Sequence, residues 1–388
     1  MSLNTTDSIE SLELIKDVDH STHVFFGKNS EFRLELPKGK ILLVTSPSID
    51  SVFLKHFVSY YEDLGVTFVN ADKSSGEPWS KDIDESFSKV SGPISGVVGI
   101  GGGSVLDFSK ALAILISNKG AITDFEFGDS EIKEVSPLWL IPTTCGSGSE
   151  VTQYCVINNS VTGRKFTLAN DSLKPKQTAI NPEQLKFIPN YVRLETGLDA
   201  FIHCLEALLN FNREVKLDPI SEEGIKIAYR ALPKAAKGDS SIELLEQLAT
   251  LSLYGGTSIT YSRTGLIHTL SVAFAPFMKM SHGLLNANLL YYALKFSLPY
   301  YEGRLKNICS SMFGKNITSD EEALEKLLLW LETVIGKNEF FIGKSLDNEQ
   351  ENIINRVLQD KGLPGVTYGD INIKLISELV GRIINETR

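Results

Sequence analysis

The chain of 388 residues has few cysteines, and none of them is spaced like a metal or redox motif. Cys145, Cys155, Cys204 and Cys309 are scattered, and no CxxC pair occurs among them. Thiols in such an arrangement are typical of a reducing compartment, where they form neither disulfides nor cysteine-based zinc sites. We therefore expect reduced thiols in a cytoplasmic protein.

The sequence also lacks an excess of positive charge and any long apolar run. It has 38 Lys and Arg against 48 Asp and Glu, which gives a formal net charge of −10. That balance argues against nonspecific binding to nucleic acid or to an anionic membrane. No apolar run is long enough to span a bilayer, and no basic segment followed by an apolar one occurs at the N-terminus. The sequence therefore predicts neither a membrane span nor a signal peptide.

The length of the chain is too great for one ordinary core, and its pattern changes near residue 190. Before that point short β-rich runs alternate with helical patterns, and after it the strand signals fade. The predicted strands lie at 23–27, 40–46, 65–70, 96–103 and 138–144, with a loop at 71–82 and a β-hairpin at 156–170. Alternation of this kind is typical of a parallel sheet covered on both faces by helices. We predict an α/β domain over 1–188 and an all-helical domain over 189–388.

Two glycine-rich turns follow predicted strands of the sheet. In GVVGIGGGSVLDFSK (96–110), four glycines within five residues precede a helix that begins near Ser104. Glycines let the backbone approach a ligand closely, and a helix start offers free N–H groups to a phosphate. Because the pattern is not a complete GxGxxG, a tight turn without a ligand is the alternative. The second turn, PTTCGSGSE (142–150), has the small polar residues of a cofactor-lining loop, and both turns are expected at the ligand-binding edge of the sheet.

The helical half contains an acid and an imidazole within an apolar stripe. In TGLDAFIHCLEALLN (196–210), which we expect to open a helix at Thr196, the side chains of Asp199, His203 and Glu206 share one helix face. Burying such groups costs several kcal/mol unless something pairs with them. Glu206 is either a carboxylate that supports a metal ligand or a solvated helix residue.

Two further histidines lie in the apolar stretch 262–290. A lone histidine in an apolar helix is more often a core residue than a ligand. His268 and His282, however, add to Asp199 and His203 to make three imidazoles and one carboxylate, a set that can surround Zn²⁺ or Fe²⁺. Such a set beside a dinucleotide site suggests Lewis-acid chemistry.

Four segments resemble the iron-containing (group III) alcohol dehydrogenases, a family grouped with glycerol dehydrogenase and dehydroquinate synthase. They are GGGSVLDFSK, PTTCGSGSE, TGLDAFIHCLEA and GLIHTLSVAFAPFMKMSHGLLNANL. The resemblance extends from about residue 23 to about residue 300. It implies a Rossmann-like dinucleotide-binding domain, a helical metal-binding domain and an active site in the cleft between them.

The resemblance also implies roles for individual residues and a reaction. The metal, Fe²⁺ or Zn²⁺, would be held by the catalytic set Asp199, His203, His268 and His282. The residues implied to bind NAD or NADP are Ser46, Gly102, Gly103, Ser104, Asp107, Thr143, Thr144, Ser147 and Lys165. The implied reaction is hydride transfer between the nicotinamide and a primary alcohol or aldehyde, and we expect a homodimer.

Three positions depart from the usual pattern of that family. Val272 stands where a further histidine is thought to help carry the proton, so the proton would leave through water or a hydroxyl such as that of Tyr261. Ser46 stands where many members have an Asp that binds the ribose 2′-hydroxyl, which predicts tolerance of NADP. Asn181 replaces the Asp of a DPEL motif, a change we expect to be structural.

The sequence is also compatible with other functions. The stretch 254–271 is similar to the 3-deoxy-octulosonate 8-oxidase and phosphonoacetaldehyde reductase branches, whose substrates are anionic, and Arg263 would then contact the substrate. A metal-dependent lyase or cyclase of the dehydroquinate synthase type is a second possibility. A binding protein that has lost its chemistry is a third.

Overall fold

The computed structural model describes residues 13–16, 18, 21–71, 73, 76–126, 128, 130–336, 344–360, 362–367 and 371–385. The chain divides into two compact units, Met1–Pro189 and Asn190–Arg388. No described helix is both long enough and apolar enough to cross a membrane. The four cysteines are buried, and none of them forms a disulfide bond within the described part of the chain.

The first unit is built on a six-stranded parallel sheet. Its strands are β1 (His23–Phe26), β2 (Gly39–Thr45), β3 (Val66–Ala71), β4 (Val97–Gly101), β5 (Leu138–Pro142) and β8 (Gln177–Ile180), in the spatial order β1-β8-β5-β4-β2-β3. The remaining two strands, β6 (Tyr154–Asn158) and β7 (Lys165–Ala169), form the predicted antiparallel hairpin. The five predicted parallel strands are confirmed, but β8 was not predicted.

Helices cover both faces of this sheet, as predicted. Helix α2 (Ser51–Asp63) lies on one face, and α3 (Ser80–Ser88) and α4 (Gly103–Ser117) lie on the other, whereas the short α1 (Glu13–Lys16) precedes β1. Alternate residues of β2 enter different cores: Leu42 packs with residues of α4, whereas Ile41 packs with Phe57 and Tyr61 of α2. Burial on both faces explains why the strands are continuous apolar runs. The predicted loop at 71–82 is wrong at its end, because α3 begins at Ser80.

The second unit is helical, and its described residues contain no strand. Its helices are α5 (Asn190–Leu209), α6 (Asp218–Ala236), α7 (Ile242–Ser262), α8 (Leu266–Phe274), α9 (His282–Ser297), α10 (Arg304–Phe313), α11 (Asp320–Ile335), α12 (Gln350–Leu358) and α13 (Ile373–Asn385). The predicted helix start at Thr196 is wrong, because α5 begins at Asn190, directly after Pro189. An α/β unit followed by a helical unit confirms the predicted fold class.

Two glycines let neighbouring helices approach α5 closely. A Cβ at Gly255 of α7 would lie 2.9 Å from the carbonyl oxygen of Ala200, and a Cβ at Gly283 would overlap the carbonyl of Glu195. Glycine therefore allows the first turn of α9 to lie directly against the α5 backbone. That approach places His282, the first residue of α9, beside the face of α5 that carries Asp199.

Candidate functional site

The predicted phosphate cradle lies at the carboxyl edge of the sheet in the first unit. Gly102 is the N-cap of α4 and has no side-chain cap, so the first N–H groups of α4 lack intrahelical acceptors. A Cβ at Gly102 would lie 3.0 Å from Thr144, and one at Gly103 would lie 2.7 Å from the Ser147 hydroxyl oxygen. The glycines thus let the two predicted turns pack against each other, with the α4 N-terminus, including Ser104, available to an anion.

Three of the predicted cofactor segments follow adjacent strands of this sheet. Ser46 follows β2, the glycine turn follows β4, and Thr143 follows β5. Parallel strands end at one edge, so these segments share the edge at which open α/β sheets bind ligands. The Ser46 hydroxyl lies 2.7 Å from that of Ser48, and Asp50 caps α2 through Phe53 N–H, 2.7 Å away.

Two other predicted cofactor residues have protein partners. The Asp107 carboxylate accepts hydrogen bonds from the Ser149 hydroxyl at 2.6 Å and from Val156 N–H at 3.1 Å. Burial raises the pKa of Asp107, against the effect of Lys110 and of these donors. Lys165 forms an ion pair with Glu77 at 2.6 Å. Asp107 therefore fixes the 142–150 turn to the hairpin, and contact of either residue with a cofactor stays a prediction.

The four predicted metal ligands converge in the second unit. The Nε2 atoms of His268, His282 and His203 lie 3.3, 3.7 and 3.8 Å from Oδ1 of Asp199. Ligand atoms of Asp199, His268 and His282 all lie within 4.8 Å of one another. The rings of His203 and His268 are stacked with centroids 4.7 Å apart. One carboxylate oxygen thus faces three imidazole nitrogens, a donor set suited to Zn²⁺ or Fe²⁺.

The charges of this cluster shift the pKa values of Asp199 and His268 in opposite directions. Burial alone would raise the pKa of Asp199, but His203, His282 and His268 hold it well below its usual range. Burial alone would lower the pKa of His268, but the carboxylates of Glu206 and Asp199 raise it to about 9. The cluster is therefore a strongly coupled, buried arrangement of a kind typical of functional sites.

Glu206 supports the cluster from behind His268. It is only 3% exposed, so the alternative of a solvated helix residue is wrong. Its carboxylate lies 2.6 Å from Nδ1 of His268 and accepts hydrogen bonds from Gly265 N–H at 2.8 Å and Ile267 N–H at 2.6 Å. Glu206 therefore fixes both the imidazole and the start of α8 that carries it.

Two polar contacts at the cluster were not found from the sequence. The Ser271 hydroxyl lies 3.1 Å from Nδ1 of His282, and the Asn286 amide nitrogen lies 2.8 Å from Oδ1 of Asp199. Both residues are fully buried. The Oδ1 atom of Asn286 has no hydrogen-bond partner among the described residues. The signal that could have found them is helical spacing, three residues after His268 and four after His282.

Val272 and Arg263, predicted to lie near the proton path and the substrate, have different surroundings. Val272 lies on α8 four residues after His268, and therefore on the same helix face. Arg263 is exposed, and a Cβ at Gly362 would lie 3.3 Å both from its Nη1 and from Oδ1 of Asp360. The side chains of Arg263 and Asp360 thus both approach Gly362.

Comparisons with known proteins match this architecture. Residues 21–182 match the model described as iron-containing alcohol dehydrogenase. Residues 193–365 match the model for the C-terminal part of the Fe-containing alcohol dehydrogenase family. Together the two models cover most of the chain.

Individual relatives and a solved structure also match most of the chain. The chain is 30% identical over 264 residues to the probable alcohol dehydrogenase EutG of Escherichia coli, covering 68% of this chain and 67% of that protein. It is 27% identical over 297 residues to the NAD-dependent methanol dehydrogenase of Bacillus methanolicus, covering 76% of this chain and 78% of that protein. The solved iron-containing alcohol dehydrogenase of Thermococcus thioreducens shares the fold, with a TM-score of 0.83 at 24% identity, covering 95% and 99% of the two chains.

Proposed function

Because the chain belongs to the iron-containing alcohol dehydrogenase family, we propose that it transfers a hydride between NAD(P) and a primary alcohol or aldehyde at a divalent metal centre. The observation that carries this proposal is the convergence of Asp199, His203, His268 and His282 around one carboxylate oxygen. The family match supports an oxidoreductase over a lyase or cyclase.

The residues present fit a divalent metal. Asp199, His203, His268 and His282 would hold it, and the buried Oδ1 of Asn286 beside them has no hydrogen-bond partner among the residues that the structure describes. Bound in this site, Fe²⁺ or Zn²⁺ supplies a Lewis acid that lowers the pKa of an alcohol or polarises an aldehyde. The imidazoles of His203 and His268 are buried, whereas the His282 side chain is 36% exposed. We infer that substrate approaches on the His282 side.

The first unit is proposed to bind the dinucleotide. Gly102, Gly103 and Ser104 would hold the pyrophosphate at the α4 N-terminus, and Thr143, Thr144 and Ser147 would lie along the cofactor. The carboxyl end of β2 has no carboxylate at Ser46, and the nearby Asp50 already caps α2. That arrangement supports use of NADP(H) as well as NAD(H), because nothing at residue 46 repels a 2′-phosphate.

The substrate proposal is a primary alcohol or aldehyde, with an anionic or sugar-like one favoured if Arg263 contributes. Val272 cannot exchange a proton, so we propose that the proton leaves through water or the Tyr261 hydroxyl. A cytoplasmic homodimer remains our prediction.

Metal analysis combined with a substrate screen tests the proposal. The purified protein would be stripped with a chelator, reloaded with Fe²⁺ or Zn²⁺, and assayed with NAD(H) and NADP(H). The screen would compare simple primary alkanols and their aldehydes with carboxylated, phosphonylated and sugar-derived ones. Metal-dependent change in nicotinamide absorbance is the expected result. Stoichiometric metal without turnover of any alcohol or aldehyde would instead favour a binding protein that has lost its chemistry.

A further inference from the structure

Three helices carry the proposed metal ligands, and each of these helices also carries a second polar residue that is not a proposed ligand. Helix α5 carries Asp199 and His203 and, three residues after His203, Glu206. Helix α8 carries His268 and, three residues later, Ser271. The third helix, α9, carries His282 and, four residues later, Asn286. At these spacings the ligand and the second polar residue lie on one face of each helix.

The second polar residue of each helix contacts a ligand of a different helix. Glu206 of α5 contacts Nδ1 of His268 on α8 at 2.6 Å. Ser271 of α8 contacts Nδ1 of His282 on α9 at 3.1 Å. Asn286 of α9 donates to Oδ1 of Asp199 on α5 at 2.8 Å. The contacts therefore run from α5 to α8, from α8 to α9 and from α9 back to α5.

We propose that Glu206, Ser271 and Asn286 form an orienting ring, in which each helix positions a metal ligand of the next. This inference rests on the proposed metal site and adds positioning residues to it. An imidazole with a free Nδ1 can turn about its side-chain bonds, whereas one held at Nδ1 keeps Nε2 directed at the metal. Glu206 and Ser271 hold His268 and His282 in this way, and Asn286 fixes the Asp199 carboxylate.

Burial makes these contacts effective. Ser271 and Asn286 are fully buried and Glu206 is 3% exposed, so water does not compete with them readily. The Asn286 amide nitrogen also lies 3.2 Å from Nε2 of His268 and 3.3 Å from Nε2 of His282. The amide nitrogen has only two N–H groups, so it cannot donate a hydrogen bond to all three neighbouring acceptors. It lies closest to the Asp199 carboxylate, which is the acceptor that carries a charge.

The ring makes metal affinity, rather than activity, the decisive measurement. Titration of the stripped protein with Co²⁺ or Zn²⁺ against a competing chelator gives the dissociation constant. Ser271→Ala should weaken binding about tenfold or more, the range typical of lost ligand-orienting contacts. Glu206→Gln and Asn286→Leu should weaken it within the same range. The matched control is Ser221→Ala, which removes another buried serine hydroxyl, one that pairs with Ser258.

Double substitutions test the cyclic order itself. If Ser271 acts through His282, adding Ser271→Ala to a His282→Ala variant should not weaken metal binding further. Adding it to a His203→Ala variant should weaken metal binding as much as it does in the wild-type protein. Glu206→Gln should likewise have no additional effect only with His268→Ala. Thermal unfolding of the stripped variants separates loss of fold from loss of positioning, and the Glu206 and Asn286 variants supply the same test if Ser271→Ala does not fold.

The possible failures are distinguishable. A wild-type protein that binds no divalent metal would refute both the proposed function and the ring. The ring alone would be refuted if the wild-type protein binds metal and the variants bind it with the same dissociation constant. Those variants are Ser271→Ala, Glu206→Gln and Asn286→Leu. Equal losses from Ser271→Ala in the His282→Ala and His203→Ala backgrounds would also refute it, because that result shows a general structural effect.

Discussion

The side-chain amide of Asn181 donates to both carboxylate oxygens of Glu31, at distances of 3.2 and 3.0 Å. The side-chain carbonyl oxygen of Asn181 accepts a hydrogen bond from Glu183 N–H at 3.1 Å. Both Glu31 and Asn181 are buried. The departure from a DPEL motif thus has the structural role that we expected, because an Asp at position 181 would face a second carboxylate.

Asn181→Asp should destabilise the first unit in a pH-dependent way. Burial raises the pKa of Glu31 above its ordinary 4.5, so the folded state holds this proton more tightly than the unfolded state. The resulting stability is present below pH 4.5 and is lost as the pH rises through the raised value. A second carboxylate should enlarge this loss. We expect a cost of about 1–3 kcal/mol at pH 7 and little at pH 4, measured by denaturant unfolding.

The control for this prediction exchanges the two groups. Glu31→Gln combined with Asn181→Asp restores an amide facing a carboxylate and should recover most of the lost stability at pH 7. If Asn181→Asp costs as much at pH 4 as at pH 7, charge repulsion is not the cause.

Arg263 adopts a backbone conformation that is favourable only for glycine. It is the C-cap of α7, with φ 62° and ψ 173°. A residue without this freedom is strained there by about 1–3 kcal/mol. Arg263→Gly should therefore be more stable than Arg263→Ala by about 1 kcal/mol, as measured by thermal unfolding.

Lys237 provides a matched control for that comparison. It is the exposed C-cap of α6, with φ −83°, where glycine has no such advantage. Lys237→Gly should be less stable than Lys237→Ala. The same order at both positions would show that backbone strain at Arg263 does not determine the result.

Much of the fold follows from the sequence because the strands between two helical layers are continuous apolar runs. Strand β8 was missed because it has only four residues and follows a polar segment with two lysines and Pro175. The predicted start of α5 is six residues late, because Thr196 lies inside the helix. Local helix propensity is a weak guide that tertiary context overrides, so the sequence pattern alone does not fix this helix start.

The proposed metal ligands can be singled out from the sequence for a different reason. Ionisable side chains in an apolar stripe are costly to bury, so Asp199, His203 and His268 stand out in the sequence. Ser271 and Asn286 do not stand out, because a buried serine or asparagine is common in helices. Only the fold shows that their side chains contact proposed ligands on other helices.

His268→Ala should remove most of the metal from the protein. The substitution deletes a ligand and also leaves the Glu206 carboxylate without its imidazole partner. Metal content after dialysis should fall well below one equivalent, and activity should fall with it. His56→Ala, which changes an exposed histidine of α2, is the control and should retain full metal. Full metal content in His268→Ala would refute the ligand assignment.

Ser46→Asp should shift cofactor preference toward NAD(H). The new carboxylate would follow β2, where it can accept from a ribose 2′-hydroxyl and repel a 2′-phosphate. Ser46→Asn changes the size similarly without adding charge and should shift the preference less. The ratio of kcat/KM for NADH to that for NADPH measures the effect. An unchanged ratio in Ser46→Asp would place residue 46 away from the ribose.

Val272→His should speed the turnover of small primary alkanols. Residue 272 lies one helical turn after His268, next to Ser271, which contacts His282. A valine there cannot exchange a proton, and general acid–base assistance typically contributes about 10²–10⁴-fold. We therefore predict slow native turnover of ethanol and propanol, and a gain of at least about tenfold in kcat for the variant, with cofactor affinity nearly unchanged.

Val272→Asn is the matched control, because it adds polarity without a group that titrates near neutral pH. A new ionisation in the pH–rate profile of Val272→His, absent from Val272→Asn, would identify the imidazole as the proton carrier. Fast native turnover of ethanol, or equal gains in the two variants, would show that position 272 does not control proton transfer.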